Sequence, residues 1–200
     1  MPTMSKHLLL VAVLGGAAVA PLPLIAQRPT GRPGMWLGAG AGLGWARVSC
    51  RICGTNRGHG PSGYAHAGGR LSDRVLLGGE VEGWFRNGNQ QAGAPSDELL
   101  LAYSAVLYWF PSSRYSYYLK GGLGLVTYRI ADGTNRVTSS AFGPTIGAGW
   151  ELPIATHLAL VPYFNVLAAS IGADLKSNGA TVLEGSSLAL IQFGVGLSRR

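Results

Sequence analysis

Apolar residues recur at every second position through several glycine-rich stretches. This alternation restricts those stretches to strands whose two faces meet different surroundings. In Ser116–Tyr128 the odd positions Tyr117, Leu119, Gly121, Leu123 and Leu125 are apolar or small, while the even positions include Ser116, Lys120, Gly122 and Gly124. Val75–Arg86 repeats the pattern, with Val75, Leu77, Gly79, Val81 and Phe85 on one face and Glu80, Glu82 and Arg86 on the other. Two carboxylates on one face are too costly against hydrocarbon but acceptable in a polar lumen.

Composition says what the apolar face meets. Of 200 residues, 47% are hydrophobic and only 12% charged, about half the usual ~25%, so disorder driven by charge and weak hydrophobicity is excluded. The length suits one domain, or at most two small ones. So many apolar residues with so few charges point to a membrane as the extra apolar sink. The N-terminus supplies the route there. Lys6 precedes the apolar run Leu8–Ala20, and Pro21–Ala26 follows, the layout of a secretory signal peptide. The run is too short for a spanning helix, which needs about 20 residues. Cleavage is expected after Ala26, with Ala20 the alternative, leaving residues 27–200 as the mature domain. No Cys follows either site, which argues against a lipid anchor. Later uncharged stretches, Val137–Trp150 and Leu158–Ala173, are broken by Gly, Pro144, Pro162 and Asn165. Only helices and closed barrels satisfy their backbones in lipid, so the expected fold is all-β, an eight-stranded antiparallel up-and-down transmembrane β-barrel.

The eight expected strands are Met35–Val48, Gly63–Leu71, Val75–Arg86, Glu98–Phe110, Tyr115–Ile130, Ser140–Glu151, Leu158–Ala169 and Ser187–Leu197. Ser49–Ser62, Asn87–Asp97, Ala131–Ser139 and Ser170–Ser186 are expected as long polar loops. Between them fall short turns at Ser72–Arg74, Pro111–Arg114 and Leu152–His157. Outer-membrane barrels pair long outer loops with short periplasmic turns, so both mature termini are expected in the periplasm. Trp36, Trp45, Trp84, Trp109 and Trp150 all lie near strand ends and are expected to form interfacial girdles.

On these features the chain resembles the small outer-membrane β-barrels of the OmpA transmembrane-domain and OmpX type, above all through Tyr115–Tyr128, with its Gly-Gly-Leu-Gly core, and the last strand Leu188–Leu197. The resemblance implies a non-enzymatic monomer with a structural, adhesion or surface-interaction role, delivered by the barrel-assembly machinery. Such barrels usually end on an aromatic residue, whereas Leu197 here is followed by Ser198-Arg199-Arg200. Phe193, Val195 and Leu197 keep the expected outward alternation.

A three-residue turn at Ser72–Arg74 would set Leu71 opposite Val75, His66 opposite Glu80 and Tyr64 opposite Glu82. Lys120 points inward at similar depth. A buried, unpaired carboxylate is costly, so an inner polar network of His66, Arg70, Glu80, Glu82 and Lys120 is expected, inside a lumen filled by side chains. Cys50 and Cys53, spaced C-x-x-C, could form a redox pair, half a zinc site or a local disulfide. Zinc lacks ligands beyond His59 and His66, and an exported chain favours the disulfide. Gly38–Gly44 has G-x-G spacing but no following helix, so it is no nucleotide loop. The net charge of +7 invites nucleic acid, but export and the lack of a recognition helix argue against it. Arg47, Arg51, Arg57, Arg86, Arg129 and Arg136 fall at outer strand ends or loops. There guanidinium groups could clasp lipopolysaccharide phosphates, with solvated loop charge as the plainer account. No cofactor or metal is expected. A soluble lipocalin-like carrier is the alternative fold reading. A lipid A-modifying enzyme is weaker, because neither His59, His66 nor His157 sits in a catalytic arrangement.

Overall fold

Alternation becomes pleat in the computed structural model, which describes residues 34–50, 54–88, 96–112, 116–132, 135–177, 180–183 and 185–199. The strands are β1 (Met35–Cys50), β2 (Gly54–Ser72), β3 (Val75–Gly88), β4 (Ser96–Trp109), β5 (Tyr117–Asp132), β6 (Asn135–Trp150), β7 (Leu152–Ala155), β8 (Leu158–Ala169), β9 (Ile171–Ser177), β10 (Ala180–Leu183) and β11 (Ser187–Arg199). Each of β1 to β5 pairs antiparallel with the next, β1 also pairs with β11, β11 with β8, and β8 and β9 with β6. The sheet therefore closes. β8 continues into β9 as one stave and β10 into β11 as another, which makes eight staves in all. Gly172 and Gly185 take positive φ of 70° and 80° near these two joints, a conformation open to Gly without a Cβ penalty.

Exposure follows parity. Leu71, Leu123, Ile146 and Phe164 on the outer face are 64%, 56%, 59% and 48% exposed, while Glu82 and Gln192 on the inner face are fully buried. A soluble carrier needs the opposite arrangement, with polar groups outside. On β1 and β4 the outward apolar positions run from Met35 to Trp45 and from Leu99 to Trp109. Ten residue steps at about 3.3 Å, tilted by about 40°, cover about 25 Å along the axis, the height of the apolar band in a membrane barrel.

The interior is layered. Toward the hairpin end, opposite the termini, Trp84, Leu100, Val126, Tyr128, Leu167 and Leu190 pack into one apolar cluster. Toward the terminal end Trp36, Leu76, Val106, Tyr108, Phe110 and Tyr118 form a second. Buried polar groups lie between them.

Several expectations change. Ser49–Ser62 is no long loop: the β1–β2 ladder runs without a break to Cys50 opposite Gly54. Ala131–Ser139 is mostly ladder as well, and Ser170–Ser186 carries the β9–β10 hairpin. Backbone pairing does not require an apolar face, and beyond the hydrocarbon both faces can be polar. Leu152–His157 contains β7, which folds back on the start of β8. Ser72–Arg74 is a tighter turn than expected, with Ser72 opposite Val75 and a register shift between Arg70 and Ser72. That shift puts His66 opposite Glu80 and Tyr64 opposite Glu82, the same register a three-residue turn would set. The signal-peptide reading lies outside the described residues.

Candidate functional site

Even-numbered positions of β2, β3, β4 and β5 point inward, which brings their polar side chains to one level of the interior. Lys120 donates to Glu80 and, at 3.0 Å, to Glu82 Oε1. Tyr108 donates its hydroxyl to the other Glu80 oxygen at 2.5 Å. Thr145 Oγ1 reaches Glu82 Oε1 at 3.4 Å, and His66 Nδ1 lies 3.9 Å from Glu80 Oε2. His66 stacks on Trp36 with ring centroids 3.8 Å apart. One ammonium thus bridges two carboxylates, each side chain about 1–2% exposed. Buried charge of this kind is tolerable only when paired and hydrogen-bonded. Arg70 is not part of the layer. Its guanidinium sits 3.7 Å from exposed Asp73, at the turn that ends β2.

Two further polar groups span the interior. Gln192 on β11 donates across the lumen to the Gly83 carbonyl at 3.0 Å and the Gly63 carbonyl at 3.4 Å, and receives Asn165 Nδ2 at 3.5 Å. Nearer the hairpin end, Glu98 pairs with Arg86 and accepts the Tyr128 hydroxyl at 2.5 Å. Tyr108, Glu98, Tyr128 and Gln192 are absent from the expected site. On β4 the run Leu99-Leu100-Leu101 is apolar on both faces, so parity there is hard to read. Glu98 was the available signal, since its parity marks the inner face.

Trp36 and Trp84 are corrections to the expected girdle. They are 2% and 1% exposed, point inward, and donate their indole N–H to Ser198 Oγ at 2.7 Å and to the Gly44 carbonyl at 3.1 Å. Trp45, Trp109 and Trp150 face outward, and Trp45 stacks on Phe193 at 5.1 Å.

The rim arginines divide. Arg86 is drawn into the barrel by Glu98 and by the Arg57 carbonyl, which accepts from its Nη1 at 3.1 Å. Its inward parity with Glu80, Glu82 and Trp84 removes it from the lipid-facing rim. Arg47 and Arg57 face outward directly opposite one another in the β1–β2 ladder, and Arg129 faces outward opposite Leu99. Arg51, Cys53 and the side chains of Cys50 and Arg136 lie outside the described residues, so the disulfide does too. His59 is exposed on the outer face and His157 at the β7–β8 turn. Among the described residues no cluster of three or more metal-binding side chains occurs.

A family model described as "Outer membrane protein beta-barrel domain" matches residues 9–198. No curated protein matches the chain. Among solved structures, Neisserial surface protein A aligns with 14% identity over 82% of this chain and 96% of that one, at a TM-score of 0.50. Ail, the attachment invasion locus protein of Yersinia pestis, in complex with the heparin analogue sucrose octasulfate, aligns with 10% identity over 82% and 98%, at a TM-score of 0.53. With closed topology, an apolar exterior and a family match over nearly its whole length, the chain belongs to the outer-membrane protein β-barrel domain family.

Proposed function

We propose that the protein is a non-enzymatic surface protein of the outer membrane: a sealed barrel that anchors extended hairpins for contact with anionic partners. It would be exported through cleavage of residues 1–26, assembled as a monomer by the barrel-assembly machinery, and held with both mature termini in the periplasm. The observation that carries this reading is the set of buried, hydrogen-bonded polar side chains that reach across the interior. Glu82 and Gln192 are fully buried, Glu82 held by Lys120 and Gln192 bonded across the lumen to the Gly83 carbonyl, which supports a role carried by the exterior. Arg47, Arg57 and Arg129 would meet lipopolysaccharide phosphates there, and by sequence position Arg51 and Arg136 are further candidates for anionic contact. The fold is shared with Ail, which was crystallised with a heparin analogue, and a net charge of +7 suits an anionic glycan. Retention of cells displaying the protein on immobilised heparin tests the reading. Cells with the wild-type chain should be retained several-fold more than cells lacking it, and Arg51→Gln/Arg136→Gln should remove most of the gain. Equal retention with and without the protein would overturn it.

A further inference from the structure

We propose that the outer face below Arg47 and Arg57 is a binding site for one phosphorylated acyl lipid, its phosphate between the two arginines and a chain in the groove over Gly83. This rests on the rim-phosphate reading above and gives it an address. Arg47 stands directly opposite Arg57 in the ladder, and like charges in that position destabilise a sheet. Among the described residues no carboxylate pairs with either guanidinium. An anion set between them would replace repulsion with two charge-assisted contacts.

Beneath this pair the wall is recessed. Gly63 lies opposite Gly83, and with Pro61, Phe85, Leu99 and Leu101 around them they line a depression of about 420 Å³ open to the lipid side. Arg57 sits four residues above Pro61 on the same face of β2, about 13 Å along the strand at roughly 3.3 Å per residue. Arg129, opposite Leu99, adds a third cation at the opposite edge. A single molecule with a phosphate at one end and a chain at the other fits both features. A second copy docking by the same face would bring two arginine pairs together at one height, since a two-fold interface is self-complementary. Charge therefore selects the lipid.

The test uses the full mature chain, refolded and reconstituted in phosphatidylcholine vesicles containing either diphosphorylated or dephosphorylated lipid A. Native mass spectrometry then reads the lipid retained on extraction. The wild type should retain the phosphorylated form about tenfold better. Arg47→Gln/Arg57→Gln should lose that preference, and Gly83→Leu should lose retention. A Cβ at Gly83 meets only Leu101, at 3.6 Å, so its side chain can fill the groove without displacing backbone. Ala65→Phe is a second groove-filling variant, and Arg74→Gln at the opposite end should change nothing. Folding of each variant is checked by heat-dependent gel migration. Equal retention by the wild type and both groove variants would overturn the proposal. So would displacement of lipid A by inorganic phosphate alone, or loss of a dimer instead of a lipid in Gly83→Leu. Heparin retention through Arg51 and Arg136 is read separately, so either result can fail without the other.

Discussion

At the residue scale the decisive group is Lys120. It lies among Gly121, Gly122 and Gly124, and its even parity sends the ammonium inward to two carboxylates. Replacing it with Met leaves Glu80 and Glu82 buried without a counter-charge, and removing one partner of a buried pair costs about 3–5 kcal/mol. Lys120→Met should lower the urea midpoint of the barrel in detergent or lipid by a corresponding amount. Leu123→Met, at an outward position that is 56% exposed, should leave it unchanged. Equal midpoints would remove the ionic layer from the stability account. Parity made Glu80, Glu82, His66 and Lys120 legible in the sequence. It could equally have placed Trp36 and Trp84, which share the inner parity of Gly38 and Glu82. Position near a strand end pointed the other way for both, and aromatic rings serve lumen and interface alike. Arg70 shows a different limit: it keeps the regular register opposite Leu76, and its charge meets Asp73 in the adjoining turn instead of the carboxylates of the interior.

At the element scale, alternation located the membrane-spanning parts of the staves and underestimated their length. Period two is visible only where the two faces meet different solvents. In 54–60 the outward residues include Arg57 and His59 and the inward ones Gly58 and Gly60, so the pattern disappears although the ladder continues. At Gly58 an added Cβ would meet only the Arg86 guanidinium, the end of a flexible side chain that can shift aside. Gly42 is held to Gly by the neighbouring β11 backbone, where an added Cβ would come within 2.6 Å of Gly194 Cα. The consequence is a barrel with two unlike ends, tight turns at one and projecting hairpins at the other. An epitope tag inserted between β9 and β10 should therefore be read by antibody on intact cells. The same tag between Asp73 and Arg74 should be read only after the outer membrane is opened. The reverse pattern would invert the topology.

At the scale of the whole molecule, the architecture was readable because a membrane barrel is a global constraint that composition, parity and turn spacing all reflect. The working surface was less readable, since it depends on which outward residues become neighbours across strands. Arg47 and Arg57 are ten positions apart in sequence and opposed only because the ladder pairs them. The closed barrel places two apolar layers and one ionic layer along its axis, and Gln192 ties β11 to β2 and β3 through the middle. Eight strands enclose only enough space for side chains to fill, which supports the proposed plug. The central claim is that the barrel is sealed and works through its exterior. Conductance of the purified chain in a planar bilayer tests this most directly. The account predicts no steady single-channel current for the wild type, and stable ohmic steps would contradict it.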